Sequence, residues 1–169
     1  MHTKSLQTAM LKSYGKNKLV SRAGLAQTVK KLQKAGKKVV FTNGCFDLIH
    51  AGHIASFNYA RSLGDALIVG LNSDKSLAKL KGPKRPLVSE KNRAKVLSAL
   101  DCVNYIVIFG EDTPEKLLSE LKPDILVKGK DYKLSEIAGR QFVKKVCRFP
   151  IVKGQSTSNL ISLIVKRYG

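Results

Sequence analysis

From residue 38 to the end of the chain, short apolar runs alternate with amphipathic stretches. The apolar runs predict β-strands, and the helical spacing between them predicts helices. The strands are expected at residues 39–42, 66–71, 103–109, 125–127 and 147–152, and the helices at about residues 53–63, 89–100, 114–121, 135–146 and 158–167. Strands separated by helices form βαβ units with right-handed crossovers. The pattern therefore predicts an α/β fold built on a doubly wound, five-stranded parallel sheet.

The first 38 residues follow a different pattern. Residues 1–20 have no hydrophobic periodicity, and we expect them to form a mobile basic tail. Leu25, Val29 and Leu32 then fall at helical spacing and Gly36 is a typical stop, so an extra N-terminal helix is expected over about residues 22–35. With 169 residues in all, residues 21–169 are expected to form one domain.

Composition limits the function classes. Lysine and arginine number 31 against 12 acidic residues, giving a net charge of +19. This excess indicates a polyanionic partner (a nucleotide, sugar phosphate, nucleic acid or membrane surface) or only a solvated basic surface. No apolar run approaches the ~20 residues of a membrane helix, and the first residues do not resemble a secretory signal, so we expect a cytoplasmic protein without a membrane span. The three widely spaced cysteines argue against a disulfide framework or a zinc finger.

Two of the three histidines stand three residues apart just after the first predicted strand, in the segment TNGCFDLIHAGH at residues 42–53. On the first turn of a helix, His50 and His53 would share a face and point with the unpaired N–H groups of the helix N-terminus. Gly52 would let a ligand approach the backbone. The segment predicts a phosphate-binding site with two imidazole donors. The alternatives are a chance pair on a helix surface and half of a metal site completed by Asp47 or Cys45.

The second predicted strand is followed by Asn72 and Asp74, which would at least cap a short helix. The loop at residues 79–85 then contains four basic residues, including Lys79 and Lys81, and is either a mobile flap over a polyphosphate or an ordinary surface loop. Arg93 lies near the start of the next helix, the unfavourable end for a cation. A nearby anionic ligand would explain its position.

Anion-binding groups also follow the fourth and fifth strands. Lys128 lies at a strand end and is followed by Gly129, although it could be merely an exposed lysine. The run at residues 156–158 contains three hydroxyls at a helix N-terminus, where they cap the helix, bind phosphate or do both. Candidate groups thus follow four strands of one sheet, at the edge where doubly wound sheets bind ligands.

The chain resembles one known family through a set of motifs. HxGH after the first strand and a Ser-Thr-Ser run before the last helix resemble the cytidylyltransferase-like nucleotidyltransferase superfamily. The full set is more specific and is similar to the D-glycero-β-D-manno-heptose 1-phosphate adenylyltransferases: FTNGCFDLIHAGH, SLGDALIVGLNSD, LKGPKRP, EDTPEKLL, PDILVKGKDY, EIAGR and GQSTSNLI. This resemblance covers about residues 18–168. It implies a Rossmann-like sheet in the order 3-2-1-4-5, and transfer of an adenylyl group from ATP to a sugar 1-phosphate with Mg²⁺.

The resemblance also implies roles for the candidate residues, which here form three groups. The catalytic candidates are His50, His53, Lys81 and Lys128; the nucleotide-binding candidates are Asn43, Gly44, Cys45, Phe46, Gly52, Lys79, Arg93, Gly129, Ser156, Thr157 and Ser158; and the substrate-binding candidates are Asp47, Asn72, Asp74 and Asp131. No residue is assigned to a metal. Related cytidylyltransferases often have an Arg shortly before the hydroxyl run, where this chain has Lys153. A homodimer is compatible with the resemblance.

Two other functions stay open at this stage. One is a cytidylyltransferase for an alcohol phosphate such as glycerol 3-phosphate. The other is a basic nucleic-acid-binding module, which is disfavoured because aromatic residues make up only 7%, tryptophan is absent and the tail has Tyr14 alone for base stacking.

Overall fold

Five parallel strands form one sheet, and helices connect them. The computed structural model describes residues 18–150 and 156–169. The strands are β1 (Val39–Gly44), β2 (Ala66–Asn72), β3 (Tyr105–Phe109), β4 (Ile125–Gly129) and β5 (Lys145–Phe149). The helices are α1 (Arg22–Lys34), α2 (Ala51–Ser62), α3 (Asp74–Lys81), α4 (Glu90–Ser98), α5 (Glu115–Leu121) and α6 (Thr157–Tyr168).

The strand order is β3-β2-β1-β4-β5, with every pair parallel. The order reverses between β1 and β4, so the loops after these two strands diverge and leave a crevice at their carboxyl ends. This arrangement confirms the doubly wound, Rossmann-like α/β fold predicted from the sequence. It also fixes where a ligand can lie, because the chemistry-bearing segments follow the carboxyl ends of the strands.

Both faces of the sheet are covered, which explains why the central strands read as continuous apolar runs rather than alternating ones. All seven residues of β2 are buried. One face packs with Phe57 of α2 and Leu97 of α4, and the other with Leu25 of α1 and Leu117 of α5. The extra N-terminal helix is thus present, and it belongs to the core rather than to an appendage.

One predicted helix is wrong. Residues 135–146 form two short 3₁₀ turns, Leu134–Glu136 and Arg140–Phe142, and then enter β5 at Lys145. Gly139 separates the two turns with a φ of +82°, a left-handed conformation that an α-helix cannot contain. A Cβ at this glycine would also collide with Leu118 of α5. At Gly139 the chain therefore packs directly against α5 instead of forming a helix.

The boundary of the expected tail also changes. The segment at residues 18–20 runs beside β3: the amide of Val20 donates to the Ile106 carbonyl over 2.9 Å, and the amide of Ile106 donates to the Lys18 carbonyl over 2.8 Å. These three residues are therefore ordered and not part of a mobile tail. Residues 1–17 and 151–155, which include Lys153 and the predicted end of the fifth strand, lie outside the described residues. The helices in the described part are all too short or too polar to cross a membrane.

Candidate active site

A cavity of about 720 Å³ opens at the carboxyl edge of the sheet. It takes its walls from the segments after all five strands and from the start of α6. Sixteen of the nineteen candidate residues line it: Asn43, Gly44, Cys45, Phe46, Asp47, His50, Gly52, His53, Asn72, Lys81, Lys128, Gly129, Asp131, Ser156, Thr157 and Ser158. The three that do not line it are Lys79, Asp74 and Arg93.

The two histidines form a stacked pair at the start of α2. Their ring centroids are 3.8 Å apart and the ring planes make an angle of 24°. His50 is the N-cap residue, and its carbonyl accepts from the amide of His53 over 2.9 Å. The Nδ1 atoms of both rings are buried and have no hydrogen-bond partner among the described residues. Buried polar atoms without a partner are rare in folded proteins, so these two rings are unusual groups for a cavity wall.

Burial keeps the histidine pair neutral. It lowers the pKa of His53 to about 4, with a further lowering from the neighbouring His50, and it lowers the pKa of His50 as well. Two charged imidazoles could not stack at this distance without repulsion. Each ring therefore offers one donor and one acceptor nitrogen at neutral pH, and it can gain a proton when an anion arrives beside it.

Phe46 supports His53 from an unusual backbone position. Its φ is +45°, and a Cβ on Gly44 would come within 2.9 Å of its ring, so a larger residue at position 44 would displace the Phe46 ring. The Phe46 ring meets His53 edge-on, with centroids 5.2 Å apart, and packs on Phe57. Phe46 thus lines the cavity as expected and also fixes the orientation of the His53 ring.

Asp47 anchors the basic loop after α3. Its buried carboxylate accepts from the amides of Leu87 and Val88, each over 2.9 Å, and from Arg85 Nε over 2.5 Å. Burial alone would raise the pKa of Asp47, but these donors outweigh it and hold that pKa below its usual range. Although Asp47 touches the cavity, its carboxylate already has three protein donors. The loop is therefore tied to the site at Arg85 and Asp47.

Arg93 does not face a ligand, which corrects the expectation for this residue. The side chain is fully buried, and its three nitrogens donate to the Val88 carbonyl over 2.9 Å, the Cys45 carbonyl over 2.6 Å and Asp74 Oδ1 over 2.7 Å. The anion that explains its position is thus Asp74, not a nucleotide. Lys79 is also directed elsewhere: it is exposed and pairs with Asp112 over 2.5 Å.

Lys128 projects from the end of β4 into the cavity. Its Nζ lies 3.3 Å from Asn43 Oδ1 and 4.7 Å from the centroid of the Tyr132 ring. Burial lowers the pKa of Lys128, against opposing effects of Asp131 and Cys45. Tyr132, which the sequence analysis missed, completes this wall. The KGKDY motif contained the only signal for it, an aromatic residue four positions after the lysine.

The hydroxyl run serves the helix and the cavity together. Ser156 is the N-cap of α6 and accepts from the amide of Asn159 over 3.1 Å. Thr157 Oγ1 donates to the Leu48 carbonyl over 3.4 Å, which joins α6 to the loop that precedes the histidines. The N-termini of α2 and α6 therefore meet at the cavity, and both present the partial positive charge that attracts phosphate.

No three His, Cys, Asp or Glu side chains in the described part of the chain gather into a group that could hold a metal ion. The cavity combines two helix N-termini, a neutral imidazole pair and the lysines 81 and 128. It also has apolar walls, among them Phe109, Pro114 and Phe149. Such a surface suits a ligand with several phosphates and a less polar remainder.

The comparisons with known proteins agree with this geometry. A family profile described as cytidylyltransferase-like matches residues 41–167. The bifunctional protein HldE of Pelobacter propionicus is 48% identical over 164 residues, 95% of this chain and 34% of that protein. The HldE of Helicobacter pylori is 55% identical over 132 residues, 78% of this chain and 29% of that protein. The chain thus spans about a third of the length of the curated relatives it matches.

Two solved structures are also similar. The lipopolysaccharide core biosynthesis protein from Thermoplasma volcanium superposes with a TM-score of 0.55 at 30% identity, over 70% of this chain and 98% of that one. The pantoate-beta-alanine ligase from Francisella tularensis superposes with a TM-score of 0.59 over 88% of this chain and 79% of that one. At 17% identity, the second likeness concerns the fold alone.

The lowered pKa of His53 predicts a pH dependence of stability. In the unfolded chain the imidazole titrates near its usual value of 6.5, and in the folded protein near 4. Between these values the unfolded state binds a proton that the folded state does not, so the free energy of unfolding falls as the pH falls across this window. We expect a His53→Gln variant to lose less stability over the same window. Urea unfolding of both proteins measures this, and equal pH slopes would contradict the assignment.

Proposed function

The chain belongs to the cytidylyltransferase-like family, and we propose that it transfers an adenylyl group from ATP to a sugar 1-phosphate, D-glycero-β-D-manno-heptose 1-phosphate. The products would be ADP-heptose, a precursor of the lipopolysaccharide core, and pyrophosphate. The strongest support is the stacked pair of His50 and His53, whose buried Nδ1 atoms lack partners among the described residues. The motif set and the names of the relatives support the choice of acceptor.

The reaction needs charge neutralisation more than proton transfer. A phosphate oxygen of the sugar 1-phosphate attacks the α-phosphorus in line; a new O–P bond forms, and the bond from the α-phosphorus to the bridging oxygen breaks. The electron pair leaves with pyrophosphate. Because the attacking oxygen is already an anion, no general base is required. The protein contributes alignment and hydrogen bonds to oxygens on which charge grows.

The groups on the cavity wall fit these tasks. His50 and His53 would donate to the triphosphate at the α2 N-terminus, and the start of α6 would bind its outer phosphates. Lys128 reaches the cavity from β4 and Lys81 from the end of α3, on the other side of β1. The two lysines therefore enter the cavity from opposite sides of β1, and both would contact the phosphates.

We expect Mg²⁺ to enter this site together with the nucleotide. Asp47 is already occupied by protein donors, and the described residues contain no group of three ligands. Phosphate oxygens together with waters can supply most of the ligands that Mg²⁺ requires. When bound with them, the ion would neutralise part of the triphosphate charge.

A pyrophosphate-release assay tests the proposal directly. The purified protein is given ATP, CTP, GTP or UTP in combination with heptose 1-phosphate, other sugar 1-phosphates or glycerol 3-phosphate. We expect the highest kcat/KM with ATP and heptose 1-phosphate. A preference for CTP with glycerol 3-phosphate would favour the alcohol-phosphate alternative. If no combination of nucleotide and acceptor releases pyrophosphate and the protein binds nucleic acid tightly and in a salt-sensitive way, the binding module is favoured.

Lys128→Met tests the phosphate role of the lysine that follows β4. The methionine keeps most of the aliphatic stem and removes the ammonium, so the packing should survive. Loss of a charged hydrogen bond to phosphate costs about 1.5–3 kcal/mol, or roughly a 10- to 150-fold lower kcat/KM. The matched control is Lys130→Met, since Lys130 is exposed and does not line the cavity. A large loss of ligand-free stability with normal kcat/KM would instead make Lys128 structural.

A further inference from the structure

The last residue of β2 brings a buried amide to the cavity. Asn72 is only 3% exposed, yet it lines the cavity. Its neighbour in the sheet is Phe109, the last residue of β3, which also lines the cavity. A polar side chain buried to this degree needs partners for its donors and its acceptor.

The hydrogen bonds of Ser76 determine how the amide of Asn72 is turned. Ser76 Oγ donates its single proton to the Glu111 carbonyl over 3.1 Å. The same oxygen can then only accept, and it accepts from Asn72 Nδ2 over 2.9 Å. Asn72 Nδ2 must therefore face Ser76, and Oδ1 is the side-chain atom that takes no part in this hydrogen bond. No described residue donates a hydrogen bond to Asn72 Oδ1.

Glu111, whose carbonyl accepts the hydrogen bond from Ser76, is itself held in place by neighbouring groups. The Glu111 side chain accepts from Arg22 Nη2 at the start of α1 over 2.7 Å and from the amide of Gly110 over 3.2 Å. Arg22 thus fixes Glu111, Glu111 orients the hydroxyl of Ser76, and Ser76 orients Asn72. The amide has one stable orientation, with an acceptor-only atom toward the cavity.

An acceptor-only atom selects a ligand group. A phosphate oxygen beside Asn72 Oδ1 would be repelled, whereas a hydroxyl would donate to it. In the sheet, β2 and β3 lie on the opposite side of β1 from β4 and β5. The cavity wall at the end of β3 contains the apolar Phe109 and Pro114 beside the polar Asp112 and Thr113. Apolar and hydrogen-bonding groups placed together suit a sugar.

The resemblance of the motifs implies that Asn72 binds the acceptor; we propose that Ser76 is the positioning residue that turns Asn72 Oδ1 toward the cavity, where this atom accepts a hydrogen bond from one hydroxyl of the sugar. This inference rests on the proposed function. It adds a basis for selecting a hydroxylated acceptor over one that carries only a phosphate.

The test combines protein variants with altered acceptors. Asn72→Leu removes the hydrogen-bond acceptor and keeps a similar side-chain volume. Ser76→Ala lets the Asn72 amide turn. Asn92→Leu is the matched control, because it replaces an exposed asparagine of α4 by leucine. Each protein is assayed with heptose 1-phosphate and with its monodeoxy analogues. ATP affinity is measured separately by titration, and the melting temperature checks folding.

We expect Asn72→Leu to lower kcat/KM for heptose 1-phosphate by roughly 5- to 100-fold and leave the Kd for ATP within about twofold. Ser76→Ala should give a smaller loss in the same parameter, and Asn92→Leu none. For one monodeoxy analogue, both losses should disappear, because the hydroxyl that Asn72 binds is already absent. A purely structural role would reduce turnover with every analogue. If Asn72→Leu does not fold, the Ser76→Ala measurements decide the question.

Three results would overturn the inference. Equal losses with all analogues would make Asn72 structural, and a matching loss of ATP affinity would place Asn72 on the nucleotide. Unchanged kcat/KM in both cavity variants would leave the amide without a role. If the wild-type protein itself uses no sugar phosphate, the proposed function is wrong, and the inference is wrong with it. Activity of the wild type therefore separates the two failures.

Discussion

The site depends on the buried guanidinium of Arg93. A charge this deep in a protein is tolerated only when hydrogen bonds replace the water it has lost. Here the replacements are the Cys45 carbonyl, the Val88 carbonyl and the Asp74 carboxylate. These belong to the turn after β1, the segment before α4 and the first residue of α3. One side chain therefore joins two irregular segments to the start of a helix.

The rest of the cavity follows from this constraint. The turn that Arg93 fixes contains Phe46, whose ring orients His53, and Asp47, whose carboxylate holds the basic loop through Arg85. The histidines can then remain buried, stacked and neutral. Since donors that are already aligned need not reorganise as charge develops, such a site favours phosphoryl chemistry. The same rigidity fixes Asn72 through Ser76.

The sequence predicted the fold and the position of the site, because both follow from local pattern. Alternating apolar runs gave the strands, and the spacing of His50 and His53 marked the phosphate end; the family resemblance of the motifs is confirmed by the profile match and the relatives. The errors concern contacts between distant segments. Arg93 and Asp74 were both candidates for ligand binding, yet their side chains pair with each other across 19 positions. The helix expected at residues 135–146 failed because Gly139 must pass close to Leu118, which no local periodicity reveals.

In the proposed reaction, the neutral histidine pair stabilises charge on the phosphates as pyrophosphate leaves. The most direct measurement is kcat of a His53→Ala variant with saturating ATP and heptose 1-phosphate, together with its melting temperature. Loss of one preorganised donor predicts a fall in kcat of at least ~100-fold in a protein that remains folded. A folded variant whose kcat stays within a few-fold of the wild type would contradict this role of the histidines.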